Sequence, residues 1–340
     1  MASVGIIGGG IIGLSTAYYL RKAGFEVTIL DQGGLEDGCS FGNAGMIVPS
    51  HFIPLAAPGM VAKGIRWMFD SQSPFYVRPR LSGELFNWGL KFYRHANRRH
   101  VERSMPALSA LSKFSKLEFR ELASSLPFDF GYQERGLLML YHEEAVEKEE
   151  RETAHQAARL GIEAKVLNLS EVQALEPDVR VSARGGVYYP GDAHLVPGTL
   201  VRLLIQHLVD AGVRIKRNTC VLSAVREKNT IKAVHTTHGE FAADHWVLAA
   251  GSWSGGMAAA FGLTLPMQAG KGYSFTLNDV AKNTRIPTIF LEARVAVTPM
   301  GRNLRFGGTM EITGIDHSVN MNRVRGIVNS IGRYYPGMKV

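Results

Sequence analysis

Positions 4–13 read Val-Gly-Ile-Ile-Gly-Gly-Gly-Ile-Ile-Gly, and they restrict the fold more than any other stretch of the chain. The apolar run at 4–7 suits a strand buried in a parallel sheet, and Gly8, Gly10 and Gly13 then hold the three positions of a G-x-G-x-x-G turn. Gly8 permits the tight turn, Gly10 lets backbone amides approach a pyrophosphate, and Gly13 lets the next helix lie close against the sheet. That helix, expected over 12–23, carries Leu14, Ala17, Tyr18 and Leu20 at helical spacing, and Gly24 ends it. Its N-terminal amides and dipole favour phosphate. A second apolar run, 27–30, closes on Asp31, about 20 residues past the turn, where a carboxylate can accept hydrogen bonds from ribose hydroxyls. A dinucleotide is therefore expected at the start of the chain.

With 340 residues and 46% hydrophobic content the chain can bury a large core, and it is expected to divide into two domains. Cys39 and Cys220 are its two cysteines, so no disulfide framework or C-x-x-C pair exists and a reducing cytoplasm is the default. Residues 2–20 and 38–62 lack Asp, Glu, Lys and Arg, yet glycines break both and Pro49, Pro54 and Pro58 break the second. Neither reads as a membrane span, and the N-terminus lacks the basic region and cleavage site of a signal peptide. Part of the formal charge of +8 lies in Lys91, Arg94, Arg98, Arg99 and Arg103, interleaved with Phe92 and Tyr93. This is either a solvated basic face or one drawn to an anionic membrane surface, and no motif supports nucleic acid. His235 and His238 lack a third ligand, so no metal is expected.

The segment 33–58 is too long for an ordinary connection, and loops of that length are usually functional. Helices are expected at 83–103, 106–126, 143–160 and from Pro197 to about Gly212, the last with Leu200, Leu203, Leu204 and Leu208 as its buried stripe. Strands are expected at 136–141, 185–189, 213–216, 219–225, 231–236 and 240–242, then at 294–298 and 303–311. The run 246–251 is continuously apolar up to Gly251, as a central parallel strand is where its end meets a ligand. Nucleotide-binding and β-rich segments interleave. The expected fold is therefore α/β: a Rossmann-like dinucleotide domain over 1–80 and 195–257, interleaved with an α+β substrate domain on a mixed or antiparallel sheet over 81–194 and 258–340.

The opening turn alone does not separate NAD from FAD. A flavoenzyme that also uses a nicotinamide would usually carry a second glycine turn, and none is found: 270–272 lacks the third glycine and 251–256 has the wrong spacing. The turn itself, the loop Ser40-Phe41-Gly42-Asn43-Ala44-Gly45, Gly191-Asp192, Ala249-Ala250-Gly251-Ser252-Trp253-Ser254, Lys271-Gly272-Tyr273-Ser274 and Gly307-Gly308-Thr309-Met310-Glu311 together resemble the FAD-dependent D-amino acid oxidase superfamily. Within it the Ser40 loop is most similar to that of the bacterial D-amino acid dehydrogenases.

The resemblance implies FAD, with its pyrophosphate on Gly8, Gly9, Gly10, Ile11, Ile12 and Gly13 and its adenosine ribose on Asp31 beside Gln32. It implies that Ser40, Asn43, Ala44, Gly45 and Met46 run along the ribityl chain and flavin, that Val221 pairs its backbone with adenine, and that Ala250, Gly251 and Trp253 approach from the other side. The reaction implied is oxidation of the CH–NH bond of a small, D-configured amino acid to an imino acid, which hydrolyses to a keto acid and ammonia. A related amine oxidase acting on glycine, sarcosine or proline-type substrates is the alternative.

Three residues are candidates for substrate contact. On the strand 303–311, alternation puts Arg305, Gly307, Thr309 and Glu311 on one face and Leu304, Phe306 and Met310 on the other, so Arg305 is either a substrate ligand or a surface charge. Tyr273 points a hydroxyl into the site or packs as a strand tyrosine. His51 ends the Ser40 loop and either meets substrate or is a polar loop residue. Family members usually continue beyond residues 334–340 into a segment with a carboxylate-binding arginine and a Gly-His-Gly turn. A flavin-binding chain without turnover is therefore a further expectation. Reoxidation by oxygen or by a membrane quinone stays open, with the protein in the cytoplasm or on the inner face of the plasma membrane.

Overall fold

The computed structural model describes residues 1–69, 73–228 and 230–340. The chain forms two compact units, residues 1–43 with 197–269 and residues 44–196 with 270–340.

In the first unit a four-stranded parallel sheet runs in the order His245–Leu248, Ser3–Ile7, Glu26–Leu30 and Arg214–Lys216. Val4, Ile6, Val27, Ile29 and Leu30 are buried. The helix Ile11–Lys22 buries Gly13, Leu14 and Ala17, and Gly24 in the left-handed region closes its end, with Phe25 donating its amide to the Leu20 carbonyl at 3.1 Å. The strand His245–Leu248, which the sequence places centrally, lies at the edge of this sheet. The antiparallel strands Val221–Glu227, Thr230–Thr236 and Gly239–Ala242 form a separate sheet whose Val221, Val234 and Phe241 pack with Trp246 and Leu248. A continuous apolar run thus results from cover by a second sheet instead of by flanking strands.

The second unit is built on an eight-stranded mixed sheet in the order Lys271–Leu277, Asn303–Ile312, Val295–Met300, Thr288–Phe290, Leu137–Tyr141, Gly185–Tyr189 and Lys165–Asn168, with Phe75–Val77 added to the end of Asn303–Ile312. The helix Met321–Tyr334 lies on its core: Ile327, Ile331 and Tyr334 are buried with Val297, Phe290 and Phe306, and Phe290 stacks on Tyr334 with ring centroids 4.2 Å apart. Burying side chains of this size contributes roughly 2 kcal/mol each before conformational entropy is charged against them. The helix Glu144–Arg159 buries Ala154 and Ala157 with Val187 and Tyr189.

Two sequence expectations change here. The helix expected over 83–103 is broken between Gly83–His95 and Arg98–Ser125, because the Asn97 side chain accepts a hydrogen bond from the His100 amide and starts a new helix that absorbs the one expected at 106–126. The alternation of Asn303–Ile312 fails at Thr309, which has φ 69° opposite a register shift of the neighbouring strand. Leu304 and Phe306 are buried as expected, but Glu311 is buried as well.

Candidate functional site

The first unit assembles the glycine turn from backbone contacts. Gly8 has φ +107°, and a β-carbon there would lie 2.4 Å from the Ala249 carbonyl oxygen; one on Gly13 would lie 1.9 Å from the Gly8 carbonyl oxygen. Both glycines are required by close backbone packing, one against the strand that ends at Leu248 and one between turn and helix. Gly10 differs, because a β-carbon there would meet only the Ser40 hydroxyl, at 3.2 Å. It faces open space at the N-terminus of a 12-residue helix that has no side-chain cap on Gly10 and no acid in its first turn. Backbone amides and dipole at such an end suit a diphosphate.

Around the turn, Asp31 accepts hydrogen bonds from the amides of Gly9 at 2.6 Å and Gly33 at 2.7 Å, one on each carboxylate oxygen. A carboxylate has about four acceptor positions, so ribose hydroxyls can share them. Ser40 accepts from the Ile11 amide at 3.0 Å, which brings the start of the long loop onto the helix terminus. The Thr219 amide donates to the Asp31 carbonyl at 2.7 Å and sets Val221 on the same side of the sheet end. The amide of Trp253 donates to Ala250, and Gly251 between them is left-handed with nothing within 4 Å of a built β-carbon. Gln32 is exposed, as is Ile12. Gly8, Gly9, Gly10, Ile11, Gly13, Asp31, Ser40, Val221, Ala250 and Gly251 therefore converge, and the open cradle at Gly10 and Gly251 fits the dinucleotide end of FAD. Leu35 was not foreseen. It is buried at φ 76° and fills the space a Gly9 side chain would take, 1.8 Å from a built β-carbon. A left-handed leucine carries no local sequence signal.

The second unit carries the rest. Met46 and Ile47 pair with Ala193 and His194, and the Leu195 amide donates to the Gly45 carbonyl at 2.9 Å. Ala44 lies 4.0 Å from a β-carbon built on Gly307, so the loop end lies over the strand Asn303–Ile312. At the loop's far end, Ser50 donates its hydroxyl to Asp192 at 2.5 Å and its amide to the same carboxylate at 3.1 Å. The Ser50 hydroxyl is also 3.2 Å from His51 Nδ1. Where Asp192 is ionised it takes the serine proton, so that His51 Nδ1 donates to Ser50 Oγ and Nε2 keeps a free lone pair. His51 is open to solvent but closely surrounded by protein; this crowding and the Arg294 guanidinium push its pKa down to about 4, so the ring is neutral at physiological pH.

Asp192 has no exposed surface, and burial pushes its pKa up to about 7 although two Ser50 bonds pull it down. Because that value lies above the unfolded one, the folded chain holds a proton the unfolded chain lacks between about pH 4 and about pH 7, and Asp192's contribution to stability falls across that window. His51 and His194, both lowered to about 4, act in the opposite direction, so the difference between variants is the readout. Urea denaturation of Asp192→Asn and the unsubstituted protein is expected to give a deficit smaller at about pH 8 than at about pH 5 by on the order of 2 kcal/mol. An equal deficit at both would mean that Asp192 ionises normally.

The other two candidates are tied into the sheet. Tyr273 donates its hydroxyl to Glu311 at 2.7 Å and accepts from the Asn320 amide at 3.1 Å. Arg305 is half-buried and donates to Thr276 Oγ1 at 3.0 Å, and burial lowers its pKa. Arg294 was not singled out from the sequence. It is exposed at φ 53°, and its side chain forms no hydrogen bond or ion pair among the described residues.

A family model described as FAD dependent oxidoreductase, DAO, matches residues 3–340. The chain is 30% identical over 341 residues to D-amino acid dehydrogenase 1 of Mesorhizobium japonicum, a match covering 98% of this chain and 81% of that protein. Among solved structures, glycine oxidase from Bacillus cereus matches with a TM-score of 0.72 at 20% identity, over 99% of this chain and 78% of that one. L-alpha-glycerophosphate oxidase from Mycoplasma pneumoniae, solved with FAD bound, matches with a TM-score of 0.65 at 18% identity, over 100% and 80%. At such identities the two structures speak for the fold.

Proposed function

The chain belongs to the DAO family of FAD dependent oxidoreductases, and from that premise we propose that it oxidises the CH–NH bond of a D-configured amino acid to an imino acid, which water converts to a keto acid and ammonia. The reading is carried by the likeness, along nearly the whole chain, to proteins named D-amino acid dehydrogenase. The unit of residues 1–43 and 197–269 holds the pyrophosphate on the Gly8 to Gly13 turn, the ribose on Asp31 beside Gln32 and the adenine on the Val221 backbone, with Ala250, Gly251 and Trp253 on the other side. Ser40 and Asn43 to Met46 lead toward the flavin. Bound FAD supplies the acceptor for the α-hydrogen, and binding, orientation and proton placement fall to the chain.

In this reading His51 offers Nε2 to the substrate amine. A neutral imidazole accepts a hydrogen bond where a charged one would repel the ammonium, and the buried Asp192, once ionised, sets through Ser50 which nitrogen is free. Tyr273 and Arg305 shape the sheet beneath the substrate through Glu311 and Thr276.

We further place the protein on the inner face of the plasma membrane, with a quinone as acceptor. The helix Gly83–His95 has no buried residue, and Phe86, Leu90 and Tyr93 are exposed along one side of it. The next helix starts with Arg98 and Arg99 and no acid in its first turn, against its own dipole, which an anionic surface would offset. Among the described residues no helix is long and apolar enough to cross a membrane.

The test uses purified holoprotein without oxygen. D-alanine and D-phenylalanine are expected to bleach the visible flavin spectrum and their L-enantiomers to leave it, and anionic vesicles carrying a quinone are expected to restore the colour. Bleaching by L-enantiomers alone would reverse the stereochemical assignment, and recovery from neutral vesicles as fast as from anionic ones would remove the membrane role.

A further inference from the structure

The second unit contains a cavity of about 520 Å³ beneath the helices Met60–Met68 and Gly83–His95, with the ends of Phe75–Val77 and Asn303–Ile312 as its floor. Its walls are apolar, with Met60, Trp67, Phe75, Trp88 and Phe92 prominent. Among the described residues its lining includes one charged residue, Arg294. Glu150, an acid that feels this guanidinium, is buried and bonded to Tyr189, and among the described residues the guanidinium forms no ion pair. His51 lies within its field.

The backbone marks the same wall. Arg294 and Thr309 both line the cavity and both are left-handed, at φ 53° and 69°. Their positions are locked together, because Val295 pairs with Gly308 and a β-carbon on Gly308 would lie 3.2 Å from the Arg294 carbonyl oxygen. A left-handed β-branched residue costs on the order of 1 to 3 kcal/mol, and such strain collects where a ligand is clamped.

We propose that Arg294 and this cavity form the substrate-recognition site for an amino acid with a large apolar side chain, the guanidinium binding the α-carboxylate and the cavity taking the side chain. The inference rests on the amino-acid reading above and sharpens it. A carboxylate can pair with this guanidinium through a charge-assisted, bidentate contact, and His51 in the same field suits the neighbouring amine. A volume of this size, lined mostly by apolar residues with one cationic residue at its wall, holds a phenyl, indolyl or branched aliphatic group and leaves a methyl group mostly uncontacted. Gly89 sets the room: it lines the cavity, and a β-carbon there would meet nothing within 4 Å.

Trp67 and Trp88 in the wall report occupancy without turnover. Titrating the holoprotein's tryptophan fluorescence with 3-phenylpropanoate, 3-phenylpropanamide and propionate is expected to rank the aromatic acid at least about tenfold tighter than either of the others. Arg294→Gln should remove the preference for acid over amide, and Gly89→Leu should weaken the aromatic acid about tenfold or more while leaving propionate unchanged. Equal binding of acid and amide by the unsubstituted protein would overturn the carboxylate role of Arg294. Gly89→Leu affecting both acids alike, or neither, would overturn the side-chain role of the cavity. Should this pattern hold while no amino acid bleaches the flavin, amine oxidation fails and the carboxylate site stands. If D-phenylalanine and D-alanine both bleach it without the pattern, the oxidation stands and the site fails.

Discussion

A Gly13→Ala chain is expected to lose both its flavin and the cooperative folding of the unit of residues 1–43 and 197–269. The new β-carbon would lie 1.9 Å from the Gly8 carbonyl oxygen, with Ile6 at 3.4 Å behind it. Each partner in that clash is backbone or core: Gly8 is the tight turn itself, and Ile6 has no exposed surface. Relief requires the helix Ile11–Lys22 to move off the sheet, at a cost of about 3 kcal/mol or more, a large share of what holds a domain folded. Gly10→Ala is the matched control. Its methyl would meet only the Ser40 hydroxyl at 3.2 Å, a contact relieved by a small shift of that side chain, so the fold survives while the methyl occupies the space a phosphate takes. Thermal melting and the visible absorbance of the purified proteins separate the two. A Gly13→Ala protein that keeps its flavin and its melting temperature would refute the packing argument.

Glu311→Ala is expected to be the most damaging change in the second unit, at about 3 to 5 kcal/mol. Glu311 and Arg323 are both buried, with the guanidinium 3.5 Å from the carboxylate. The same carboxylate accepts from Tyr273 at 2.7 Å and lies 3.6 Å from Lys271. Arg323 also donates to the Ser73 carbonyl and hydroxyl, at 2.6 and 2.7 Å, and lies over the Tyr76 ring. Without Glu311 the guanidinium keeps those neutral acceptors and loses its buried counter-charge, which is why the loss should exceed that of a surface pair. Replacing both by apolar residues, Glu311→Leu with Arg323→Met, should cost less than the two single changes added together. Urea denaturation of the four proteins gives the coupling. Additive losses would show that the pair does not act as a unit. The exposed Arg98 and Glu102 pair provides the contrast, since Glu102→Ala should leave the denaturation midpoint where it is.

Local rules made the dinucleotide end legible. Strand, glycine turn, helix, strand and acid follow one another within 31 residues, and each depends on backbone sterics that neighbouring residues report. The loop from Ser40 to Met46 could be flagged by its length and quoted by its resemblance. What stayed hidden depends on contacts remote in sequence. Leu35 can be left-handed and buried only because Gly9, distant along the chain, leaves room. Ser50 and Asp192 lie 142 positions apart, so nothing near His51 announces that its tautomer is fixed. Arg294 reads as one more surface cation until the helices Met60–Met68 and Gly83–His95 are seen to roof a cavity beside it. The alternation that placed Glu311 outward failed because Thr309 turns left-handed, a choice that belongs to the strand pairing and not to threonine.

In the proposed reaction this chain passes the α-hydrogen of an amino acid to a bound FAD. Its most direct test is a single turnover without oxygen, in which the loss of visible flavin absorbance is counted against the keto acid and ammonia released. One of each product is expected for every flavin bleached, and a slower bleach when the α-hydrogen of the substrate is replaced by deuterium. Flavin that stays oxidised while every D- and L-amino acid is supplied, or bleaching without keto acid, would contradict it.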